Sequence, residues 1–83
     1  FFVYVLHMGN GKYYIGQTND LREIERHQTG QVRSTRSYHP VTMVYSETYH
    51  TRSESMQREK QLKSWKSHTA IKELISNFDG LIV

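Results

Sequence analysis

Residues 1–16 hold two short apolar runs, FFVYVLH and KYYIG, with Gly9, Asn10 and Gly11 between them. Runs this short, rich in aromatic and β-branched side chains, read as strands, because such side chains suit a pleated surface. Glycine and asparagine supply the positive φ angles of a tight turn, so residues 1–7 and 12–16 are expected to pair as an antiparallel hairpin. That hairpin aims the phenols of Tyr4 and Tyr14 at one place. It also requires something to cover it, and the rest of the chain supplies candidates.

Thr18, Asn19 and Asp20 offer helix N-caps, with Glu23 three residues after Asp20 as in a capping box and Gly30 where a C-terminal glycine belongs. The first helix is therefore expected from Asp20 to about Gln28. Residues 30–40 have glycine, serine, threonine and proline, with Arg33 and Arg36 and no apolar period, and read as a basic loop. Val41 to Glu47 alternates and predicts a third strand. Thr51 or Ser53 can cap a second helix over Glu54 to Trp65, where Met56, Glu59 and Leu62 recur every three residues and set the carboxylate on an apolar face. Ser67 or Thr69 caps a third, with Ile71, Leu74 and Ile75 as its apolar stripe. The final Leu81, Ile82 and Val83 are expected to fold back on the core or contact a partner. The order β-β-α-β-α-α predicts an α+β fold with a three-stranded antiparallel sheet flanked by helices.

A chain of 83 residues has room for one core, so a single domain over residues 1–83 is expected. It has no cysteine, which excludes disulfides and thiolate metal sites. Five scattered histidines, His7, His27, His39, His50 and His68, lack zinc-ligand spacing. Phe1 to Leu6 is far too short to span a bilayer, so no membrane or targeting segment is expected and the cytoplasm is the expected location. Eleven Lys and Arg against eight Asp and Glu leave a net charge of +3, which favours a polyanionic partner.

Several segments in order carry a resemblance: Val3-Tyr4-Val5, Tyr14-Ile15-Gly16, Thr18 to Leu21, His27, Gly30, Ser34-Thr35-Arg36 with Pro40, Met43 to Glu47, and Arg58 to Lys63. Together, over about residues 1–76, they resemble the GIY-YIG nuclease superfamily, in its small stand-alone bacterial type. The first motif keeps only its tyrosine, with Phe2 and Val3 in place of glycine and isoleucine. The resemblance implies metal-dependent hydrolysis of DNA phosphodiester bonds, with a role in DNA repair among the expectations. It matches Tyr4 and Tyr14 to the two motif tyrosines, His27 to the helix-one histidine and Glu59 to the metal-binding glutamate. Mg²⁺ or Mn²⁺ is the implied ion, since such ions keep most of their water and need few carboxylates. Tyr4 is the candidate general base and Tyr14 the positioning group, or the reverse. Arg22, Arg26, Arg33, Arg36, Arg58 and Lys63 are the candidate DNA contacts. A monomer or weak homodimer is compatible with all of this.

One departure bears on chemistry. The family places an arginine three residues after the helix-one hydrophobic matched by Leu21, and its histidine seven residues after it. Here His27 follows Leu21 by six, and an arginine inserted between Glu23 and Ile24 would restore the pattern. Counting from either end, the arginine's place falls to Ile24 or Glu23, neither a cation, though Arg22 or Arg26 could serve from a shifted helix. A DNA-binding module with weakened or no catalysis is therefore the alternative. The plainer readings stand beside these: Tyr4 and Tyr14 as half-buried sheet aromatics, Glu59 as a structural partner of Lys63, His27 as a helix-end cation, and Trp65 as a packing residue.

Overall fold

The computed structural model describes residues 1–82, excepting the side chains of Ser34 and of residues 77–82. The expected fold-back of Leu81, Ile82 and Val83 lies outside the described residues. Strand β1 (Phe2–His7) pairs antiparallel with both β2 (Tyr13–Thr18) and β3 (Thr42–Thr48), giving the sheet order β2-β1-β3. The β1–β2 turn closes through Met8 N–H to Lys12 O at 2.9 Å and Gly11 N–H to Met8 O at 2.9 Å. Gly11 sits at φ +84°, where a side chain would be strained. Helices α1 (Leu21–Gln28) and α2 (Arg33–Arg36) precede β3, and α3 (Arg52–Ser64) and α4 (His68–Ile82) follow it. The α+β architecture and its antiparallel sheet are as the sequence predicts. No helix among the described residues is long and apolar enough to cross a membrane.

Both faces of the sheet are covered, which explains why β1 is apolar at successive positions instead of alternating. Val3 and Val5 face one way and pack with Tyr45, Leu62 of α3 and Ile71 of α4, flanked by Leu74 and Ile75. Tyr4, Leu6 and Met8 face the other way and pack with Ile24 of α1 and Val41. Burying each large apolar side chain contributes about 1.5–3 kcal/mol, so β1 anchors both layers.

Three local expectations need correction. The basic loop contains one helical turn, α2, because Thr35 turns fully inward, its main chain bonding Val32 and Tyr38. Asp20 does cap α1 by accepting from Arg22 N–H at 2.9 Å, but Glu23 does not complete a capping box; its carboxylate reaches Tyr4. Its counterpart at α3 does have side chain meeting side chain, with Thr51 Oγ1 accepting from Glu54 N–H at 3.2 Å and donating to Glu54 Oε1 at 3.0 Å. On α3, Met56 is half exposed, and the buried stripe runs through Ser55 and Leu62 with Glu59 at its margin.

Candidate active site

The hairpin register sets Tyr4 opposite Gly16 and Leu6 opposite Tyr14, so both phenols rise from the same face of the sheet. A Cβ built on Gly16 would stand 2.4 Å from Cζ and from the phenol oxygen of Tyr4. Only glycine lets the Tyr4 ring lie across β2, and the ring is 1 % exposed there. His27, 2 % exposed, comes up from the last turn of α1 between the two phenols. Its ring centroid is 5.9 Å from that of Tyr4 and 5.0 Å from that of Tyr14.

One tautomer of His27 satisfies all of its hydrogen-bond partners at once. Thr35 Oγ1 lies 2.9 Å from His27 Nδ1, and the threonine hydroxyl donates onward to Val32 O at 3.5 Å. Its lone pair therefore faces His27, which makes Nδ1–H the donor and leaves Nε2 as an acceptor. Tyr4 O–H stands 3.3 Å from Nε2 and 3.4 Å from Glu23 Oε2, two long contacts shared by one proton. Burial lowers the pKa of His27 despite the pull of Glu23, which keeps the imidazole neutral and able to accept. Burial, then the charge of Glu23, the neighbouring Tyr14 and the charge of Glu59 push the Tyr4 phenol well above its ordinary value. Tyr4 holds its proton unless a cation or a proton acceptor relieves it.

Glu59 stands on α3, the helix that packs against the other face of the sheet through Leu62, and its charge is the smallest of the causes that raise the Tyr4 pKa. Its side chain is 26 % exposed and meets Lys63 Nζ at 3.6 Å. Among the described residues no group of three or more His, Asp or Glu could hold an ion by itself. A single accessible carboxylate beside phenols fits a hard, water-rich cation such as Mg²⁺ or Mn²⁺ and does not fit a site closed by protein ligands.

The candidate DNA contacts divide. Arg22 is exposed and bound to Asp20 at 2.8 Å, and Arg26 is exposed on the same helix. Arg33 and Arg36 bracket α2 with exposed side chains. Arg58 is engaged: it donates to both oxygens of Glu47 at 3.0–3.3 Å and to Gln61 at 3.0 Å, and lies 5.6 Å over the Trp65 ring. Glu47 also accepts from the hydroxyls of Tyr45 and Tyr49. Burial alone would raise the Glu47 pKa; the bonds from Arg58 and the two tyrosines override it and hold the carboxyl below its usual range.

Glu23 and Thr35 join the cluster without having been among the sequence candidates for its chemistry. Glu23 stands four residues before His27, so the two share a helix face, a spacing that was available in the sequence. Thr35 carries no such signal, since it lies in a stretch without period. Gly16 does, because a glycine inside a strand marks a close approach.

Comparison with known proteins bears on this arrangement. A family model described as the GIY-YIG catalytic domain matches residues 1–72. UPF0213 proteins of Staphylococcus aureus strains Mu3 and COL are each 36 % identical to this chain over 66 residues, covering 77 % of it and 80 % of the relative. The solution NMR structure of the UPF0213 protein BH0048 from Bacillus halodurans superimposes with a TM-score of 0.60 at 30 % identity, over 90 % of this chain and 81 % of that one. By motif, fold and the extent of these matches, the chain belongs to the GIY-YIG family, among its small UPF0213 proteins.

Proposed function

We propose that residues 1–83 form one nuclease domain that hydrolyses DNA phosphodiester bonds, using Mg²⁺ or Mn²⁺ held by Glu59 and waters. The observation that carries this reading is the buried relay Tyr4–His27–Thr35 beside Tyr14, with the Glu59 charge acting on it. Family membership supports the reaction class. Phosphodiesters resist attack because their charge repels nucleophiles, so positioning and charge neutralisation dominate catalysis. A bound divalent ion supplies the neutralisation.

The chain's own residues then handle the proton. Water gives a proton to the Tyr4 oxygen as the Tyr4 proton passes to His27 Nε2, and the hydroxide so formed attacks phosphorus while the P–O ester bond breaks. The leaving alkoxide takes a proton from solvent water, and His27 returns its proton to solvent. Tyr14 positions the phosphate or the water. Thr35 keeps Nε2 bare for this transfer. Exposed Arg22, Arg26, Arg33, Arg36 and Lys63 contact the DNA backbone, and Arg58 serves the fold through Glu47 before it can serve DNA.

One observation favours a second reading, a weakly catalytic or silent DNA-binding module. Glu23 puts a carboxylate on Tyr4 where the family pattern calls for a cation, and like charge repels a phosphodiester. Nicking of supercoiled plasmid separates the two. The nuclease reading expects Mg²⁺- or Mn²⁺-dependent nicking that EDTA stops and that Glu59→Ala lowers by at least a thousandfold, with DNA affinity retained. Wild-type protein that binds DNA without metal-dependent nicking would establish the silent module.

A further inference from the structure

Along β2 a recess of about 420 Å³ opens between the strand and the junction of α3 and α4, with the candidate catalytic Tyr14 among its lining residues. Ile15, Leu62 and Ile71 give it an apolar wall, Lys12, Lys63 and Lys66 are cations at its margin, and none of its lining residues is acidic. One side is built from rings: His68 stacks on Tyr13 at 4.7 Å and donates from Nε2 to Gly11 O at 3.1 Å.

Two further observations set this recess apart from an ordinary surface dip. Lys66, just past the end of α3, adopts φ +48°, the left-handed conformation that this position normally gives to glycine. The chain thus accepts strain to set a lysine here instead of the relaxed residue. The recess also adjoins the candidate reaction centre, because Lys63 on its margin pairs with Glu59 and because β2 is an edge strand.

We infer that this recess seats one unpaired nucleotide of the strand being cut, with its base against Ile15, Leu62 and Ile71 and its phosphate among Lys12, Lys63 and Lys66. The inference rests on the reading of the chain as acting on DNA, and it adds the substrate class: DNA with an unpaired nucleotide beside the cleaved bond. The chemistry selects such a ligand. An apolar wall rewards burial of a flat base, and a cationic margin with the amino end of α4 in the lining rewards phosphate. A base in intact duplex has its faces stacked and its edge paired, so it cannot enter. The volume lies within the range of about 300–1,000 Å³ that encloses small ligands.

The test is done in EDTA, so that it does not depend on cleavage. Fluorescence anisotropy compares a short labelled single strand with the blunt duplex of the same sequence. Single strand is expected to bind at least tenfold tighter. Lys63→Glu with Lys66→Glu is expected to remove that preference, whereas Lys60→Glu, which does not line the recess, keeps it. Because charge reversal weakens any DNA contact, methyl NMR supplies a second readout: a dinucleotide should shift Ile15, Leu62 and Ile71 before other methyls. Equal affinity for the two forms, a preference that survives the double charge reversal, or methyl shifts confined to other regions would each overturn the inference. Failures are separable. Protein that shows the preference and never cuts DNA defeats the nuclease reading alone; protein that cuts blunt duplex without the preference defeats this inference alone.

Discussion

Each face of the sheet carries a carboxylate among tyrosines, and the two clusters differ in how completely their polar atoms are satisfied. Glu47, on the face toward α3, accepts from two phenols and from the Nε and Nη2 of one guanidinium edge, and each carboxylate oxygen has close partners. Tyr4, on the face toward α1, shares one proton between His27 and Glu23 over 3.3 and 3.4 Å, and among the described residues no arginine is hydrogen-bonded to it. A saturated cluster is locked, because removing Glu47 or Arg58 leaves the other charge without its partner. An unsaturated one retains capacity to bind something else. Residue types alone do not distinguish structure from chemistry here; hydrogen-bond saturation does.

The comparison can be broken or sharpened by substitution. The largest effect is expected at Gly16: Gly16→Ala drives a methyl into the Tyr4 ring and should lower cleavage on the order of a thousandfold, about 4 kcal/mol at 1.36 kcal/mol per decade, with the fold retained by circular dichroism. Glu47→Gln comes next. It should reduce unfolding free energy by about 3 kcal/mol in urea, because Arg58 loses its partner, while the rate per folded molecule stays constant. A loss of rate there without a loss of stability would show that the two clusters had been assigned the wrong way round.

Thr35→Val keeps shape but leaves His27 Nδ1–H unpaired, with an expected cost of about 1–3 kcal/mol. Long-range nitrogen NMR should then show the Nδ1–H tautomer giving way, and nicking should slow while Thr35→Ser retains both. The smallest effect is with pH. His27 is held neutral below its ordinary pKa of 6.5, so the unfolded chain binds the extra proton first as pH falls. Stability should therefore decline on acidification from about that value, and His27→Asn should flatten the decline in thermal melts.

Much of the scaffold is readable from local chemistry. Gly9, Asn10 and Gly11 mark the hairpin turn, and Ile71, Leu74 and Ile75 define the packed side of α4, because turns and stripes depend on neighbours in the chain. The error at Met56 has a geometric source. A spacing of three drifts on a helix, so Met56 and Leu62 lie about 120° apart, whereas Ser55 and Leu62, seven apart, differ by about 20°. Ser55 gives no hydrophobic signal, so the sequence points to its neighbour Met56 for the buried stripe. Tyr4, Tyr14, His27 and Glu59 are legible as motif positions, and the structure gathers the first three, whereas Glu59 pairs with Lys63 on its own helix. The inward turn of Glu23 was not legible, since capping and phenol contact compete for one carboxylate and tertiary packing decides between them.

Tyr4 stands on the central strand, hydrogen-bonded on both sides and packed above and below. Its amide should exchange with solvent only through global unfolding, at the slowest rate in the protein, whereas the exposed arginines of α1 and α2 sit on short elements that open more readily. A reaction centre fastened to the least deformable part of a domain has little freedom to mould itself around a bound helix. On the proposed function, the mechanical work of reaching such a centre would fall to the nucleic acid, so flexible steps, frayed ends and kinks in DNA would be the features such a protein discriminates, through elastic energy and without reading bases.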